Sequence, residues 1–174
     1  VGSEMCIRDR YIFDDKLPYW IIYRDNEFDS VCKNLDFNVF KVFRDRQITN
    51  KLLSPSGDIR VLKSRNISDD GKNVMDIDGY DSYISYDDAK NLSVYSYLDC
   101  DNVYLTPNMT YKPRMIEKPK ECLVNGSLAI LIPKEGITPT EEQMAFFSTQ
   151  EYRNFYQIAR NFQTRSLNVD ACSV

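Results

Sequence analysis

The sequence contains no histidine. That absence removes the commonest general base, the commonest metal ligand and every Ser-His or Cys-His nucleophile pair. Many hydrolytic mechanisms go with it. The six glycines never form Gly-x-Gly and no two of the seven prolines are adjacent, so a glycine-rich cofactor turn and a P-loop are both missing. No apolar run approaches the ~20 residues needed to span a bilayer. The longest, Leu128–Ile132, has the length of a buried strand. Val1–Arg10 has no apolar stretch of the kind a signal peptide carries. The five cysteines are odd in number, and no two are spaced as a metal knuckle. Free thiols in a reducing cytoplasm are the expectation.

Carboxylates are plentiful but unpatterned. Asp69, Asp70, Asp76, Asp78 and Asp81 do not have the spacing of an EF-hand loop and lack its terminal Glu, which leaves an acidic solvated loop. Glu117 and Lys120 have nuclease-compatible chemistry at a spacing too common to carry weight. No catalytic residue, cofactor-binding residue or metal ligand is expected.

What is present suits one globular domain: 174 residues, 43% hydrophobic and 28% charged. A chain of this size can bury a core without staples. The 12 Tyr and 9 Phe are spread along it, as core and half-buried rings would be. Residues 1–10 (VGSEMCIRDR) resemble a translated adapter remnant and are set aside. Residues 11–174 then form a single unit, with both ends expected to be truncated.

The periodicities define the elements. Tyr19–Tyr23 predicts a strand. Asp25 is placed to cap a helix whose stripe is Phe28, Val31, Cys32 and Leu35. Phe37–Phe43 and Ile59–Leu62 read as strands around the turn at Pro55-Ser56-Gly57-Asp58. Asp69–Gly79 reads as a loop or hairpin, Asp87–Leu98 as a helix, and Val103–Leu105 as a short strand. Asn108–Lys120 reads as an extended loop. Two short helices close the domain. The first starts at a capping box, Thr138-Pro139-Thr140-Glu141, with proline at the first helical position. The second starts at Ser148-Thr149-Gln150-Glu151 and carries the stripe Tyr152, Phe155, Tyr156 and Ala159. The expected fold is mixed α/β (α+β), with a central mixed sheet and C-terminal helices packed against it.

Charge is segregated along the chain although the net charge is −4. Lys41–Asn66 holds seven basic residues against Asp45 and Asp58. Asp69–Asp101 holds nine aspartates against Lys72 and Lys90. Lys112–Lys120 holds four basic residues against Glu117. A charge run is by itself more often a solvated face balanced by its neighbours. A basic face beside an acidic one would instead steer a polyanion to one side of the molecule. Arg44-Asp45-Arg46-Gln47 and Lys63-Ser64-Arg65-Asn66 have the side-chain types that meet phosphates and base edges.

Six stretches resemble the C-terminal target recognition region of adenine-specific DNA methyltransferases of type II restriction–modification systems. They are FRDRQITN at 43–50, RVLKSRNIS at 60–68, GYDSYI at 79–84, TYKPR at 110–114, NGSLAILIP at 125–133 and TRSLNVD at 164–170. None is a catalytic signature; the likeness rests on their number and order. The resemblance implies a parent enzyme that binds S-adenosylmethionine in an upstream methyltransferase domain outside this chain. This part would hold double-stranded DNA in register while the target base leaves the stack. It implies DNA contacts among Arg44, Arg46, Lys63, Arg65, Asn66, Lys112, Arg114 and Arg165. A non-catalytic specificity subunit, or a protein-interaction or structural fragment, are the alternatives.

Overall fold

The computed structural model describes Asp15, Leu17, residues 20–162 and the backbone of Leu167 and Asn168. The fold is mixed α/β. Its middle layer is a four-stranded antiparallel sheet of β1 (Phe40–Arg44), β8 (Leu128–Pro133), β4 (Tyr104–Pro107) and β6 (Ile116–Glu117), in that order. Both faces of this sheet are covered. That is why the LAILIP run of β8 is almost continuously apolar rather than alternating.

Register assigns each residue its side. Leu131 pairs with Val42 and Tyr104, and all three face the helices. Ile130 pairs with Phe43 and Leu105, and all three face the second sheet. The helical layer is α1 (Asn26–Asn34) on α4 (Gln150–Ala159). There Phe28 stacks on Phe155 with centroids 5.2 Å apart. The other layer is a three-stranded mixed sheet. Its central strand β2 (Ile59–Leu62) pairs antiparallel with β3 (Ser82–Ile84) and parallel with β7 (Cys122–Val124). A third pairing joins β5 (Met109–Thr110) to β9 (Leu167–Asn168). The strands thus divide between two main sheets, with the parallel pair confined to the smaller one.

The helix signals are read by the backbone. Asp25 caps α1 by accepting from the Phe28 amide at 2.8 Å. Tyr152, Phe155, Tyr156 and Ala159 are all buried. The helix α3 (Glu141–Phe146) starts at Thr140, and its box is reciprocal with Gln143: 3.2 Å one way and 2.9 Å the other. Pro139 therefore precedes the cap instead of opening the helix. Both Thr138 and Thr140 have an acid or amide three residues on, so sequence spacing alone could not separate them. Thr149 likewise, not Ser148, caps α4.

Several elements differ from their sequence reading. Trp20–Tyr23 makes only a bridge at Ile21, and Tyr19 lies outside the described residues. The Asn161 side chain pins this segment through the Ile22 amide and the Trp20 carbonyl, burying Ile21 alone. β1 begins at Phe40 because Asn38 takes a positive φ of 60° and breaks the extended run. Asp87–Leu98 splits into the short α2 (Tyr86–Ala89) and a 3₁₀ turn at Ser93–Tyr97, with Leu92 extended between them. β5 and β6 lie inside the expected loop 108–120. Cys100 and Cys122 are free thiols. Among the described residues no helix is long and apolar enough to cross a membrane.

Candidate nucleic-acid interface

The two polar tetrads fold by the same device. Asp45 is buried, and its carboxylate accepts from the Gln47 and Ile48 amides at 3.2 and 2.8 Å. This closes a turn at the end of β1 and leaves Arg46 exposed. Asn66 is fully enclosed, and its carbonyl oxygen accepts from the Lys63 amide at 2.9 Å. This closes the 3₁₀ turn Ser64–Asn66 after β2 and leaves Arg65 exposed. In each tetrad a buried acceptor forms the turn and one arginine is displayed.

Both turns rest on the segment 125–127. The Ser127 hydroxyl accepts from the Ser64 amide at 2.9 Å. A Cβ on Gly126 would stand 2.7 Å from the Asp45 carbonyl, so only glycine allows that approach. Asn108 joins from the end of β4. Its amide donates to the Gly126 carbonyl at 3.2 Å and accepts from Arg44 Nε at 2.7 Å. Arg114 completes the assembly from beneath. Its guanidinium donates to the carbonyls of Ser64 at 3.0 Å and Lys112 at 2.9 Å, while Nε is buried with no partner among the described residues. Burial pushes its pKa down, opposed by nearby Asp69. The result is one edge of the molecule built from four loops.

No protein-family model matches this chain, and no curated protein does.

The aspartate-rich loop reaches the basic residues. It folds back over the basic segment. Arg60 pairs with Asp76 at 2.6 Å and Asp81 at 2.9 Å; Lys120 pairs with Asp101 at 2.7 Å; Lys112 pairs with Asp69. The Lys112 hydrogen bond holds Asp69 below the usual carboxylate range. Lys63 donates to the Tyr80 carbonyl and to Ser82 Oγ, with its ammonium 3.9 Å from the Tyr80 ring centre. Burial draws the Lys63 amine below the ordinary lysine range, against the pull of Asp81. These pairs join residues apart in sequence, as in the reading of the charge runs as faces balanced by their neighbours.

The eight candidate contacts sort accordingly. Arg46 and Arg65 are displayed on the edge. Arg44 is half-buried there on Asn108, and Lys112 is exposed but ion-paired. Lys63, Asn66 and Arg114 are turned inward as framework. Asn66 in particular spends its amide on the Met75 carbonyl at 3.0 Å and on Asp81 at 2.6 Å, leaving nothing for a base edge. Arg165 lies outside the described residues. Three contributors were not among the eight candidates. Asn108 and Ser127 are single polar residues beside strands, with no spacing to flag them. Tyr80 lies within cation–π range of both Lys63 and Arg65, the latter at 4.8 Å, and only the folded loop brings it there.

Proposed function

We propose that this chain is a DNA-reading module whose contact surface is the four-loop edge carrying Arg44, Arg46, Arg65 and Lys112. It would act as the specificity part of a SAM-dependent adenine DNA methyltransferase of a restriction–modification system. The single observation that supports the reading is the matched pair of turns on segment 125–127, each presenting one arginine from a rigid base. Rigid turns lower the entropic cost of fixing an arginine against a phosphate or a guanine edge. S-adenosylmethionine and the methyltransferase half belong to the resemblance and are proposed on that ground alone.

The test is a fluorescence-anisotropy titration of the folded protein with random duplex DNA at 50 and 200 mM salt. Four phosphate contacts predict a loss of affinity of about a hundredfold between the two. A second reading, a protein-interaction or structural module, is favoured by one observation: Arg60, Lys112 and Lys120 all pair with carboxylates of this same chain. No DNA binding by folded protein would select that reading.

A further inference from the structure

We propose that the cavity between the end of α1, the start of β1 and α3 is a binding site for a small organic cation with an apolar or aromatic body. Its volume is about 370 Å³, within the range of small-molecule sites. It lies in the helical layer, and the inference does not depend on the DNA reading.

Three observations converge on this ligand class. The first is underpacking. α3 buries none of its six residues, and only Met144 and Phe146, with the following Phe147, pack partly on the core. Protein interiors are otherwise filled to crystal-like density, and an unfilled apolar space forfeits contacts. The second is the lining. Phe37, Phe40, Phe147 and Tyr152 supply ring surface, with Phe147 and Tyr152 tilted at 4.5 Å between centroids. Aromatic faces attract cations through the ring quadrupole. The third is charge. Asp36 and Glu142 are the ionisable side chains of the rim apart from the Tyr152 phenol, and no lysine or arginine lines the cavity among the described residues. The last residue of α1, Asn34, and its C-cap, Leu35, also line it, so the negative end of that helix adds to the carboxylates. Lys33 in the last turn is exposed and outside the lining. An anion would meet repulsion from both carboxylates, Asp36 and Glu142. A neutral apolar molecule would fill the space but leave the carboxylates unused.

The test uses three probes of one shape: 2-phenylethylammonium, 2-phenylethanol and phenylacetate. Each is titrated into the intact protein, and methyl NMR signals of Val39, Met115 and Ile137, which line the cavity, report occupancy. The ammonium should bind about tenfold tighter than the carboxylate, with shifts at those three methyl-bearing residues. The exposed pair Asp36→Asn and Glu142→Gln, combined, should reduce that preference to about twofold without loss of folding. Equal affinity for all three probes would overturn the cationic class. Saturable binding that leaves those methyl signals unmoved, or no binding by any probe, would overturn the site.

Discussion

Arg60 and Arg65 lie on one strand and the turn that follows it, yet they meet opposite surroundings. Arg60 is enclosed by two carboxylates of the aspartate loop. Arg65 is exposed, with the Tyr80 ring as its neighbour. The same contrast separates Arg114, buried on carbonyls, from Arg46, displayed to solvent. The number of basic residues in a segment thus says little about the field it presents. What decides is whether acceptors of the same chain hold the cation or leave it to solvent.

This contrast can be broken from the inward side first. Arg114→Met should cost about 3 kcal/mol in chemical denaturation, because it removes the charge-assisted hydrogen bonds to the part-buried Ser64 and Lys112 carbonyls. A loss below 1 kcal/mol would mean that the loops hold together without it. Asn66→Ala should cost about 2 kcal/mol, since the Lys63 amide loses its acceptor and the Met75 carbonyl and Asp81 each lose a donor. Gly126→Ala should cost a similar amount, about 2 kcal/mol, by pushing a methyl into the Asp45 carbonyl. Amide exchange around residues 45–48 should rise with it, and unchanged protection there would count against the close contact.

The outward arginines should behave differently. Arg46→Ala and Arg65→Ala should each change stability by less than about 0.5 kcal/mol while weakening DNA binding. A phosphate contact lowers the salt slope by about 1, whereas a base contact weakens the cognate site more than random DNA. Normal binding in both variants would remove the edge from consideration.

The smallest effect concerns pH. Asp69 is held low by Lys112, so its share of stability is present above the ordinary carboxylate pKa and fades as pH falls through its own lowered value. Lys112→Met should return the Asp69 titration, followed by carboxyl NMR, toward the ordinary range of about 3.9. Because both groups are largely exposed, solvent screening keeps the change in stability small.

The sequence was most legible where periodicity and capping act locally. β2, the Asp25 cap, the α4 stripe and the buried β8 run all follow from spacing. The three-layer division was not legible, because the pairing of β2 with β7 joins Arg60 to Cys122 across a gap that no local pattern records. The site was legible in its residue types but not in their directions. Asn66 and Arg65 are adjacent in one tetrad, and only the fold distinguishes framework from display.

The contact between α1 and α4 also has a kinetic side. Asn26–Asn34 must wait for Gln150–Ala159 before Phe28 can find Phe155. The parallel β2–β7 pair likewise closes a loop of some sixty residues. Contacts so distant in sequence slow folding. On the ribosome the first helix leaves the tunnel long before its partner is synthesised, and its apolar stripe stays open to chaperones for that interval.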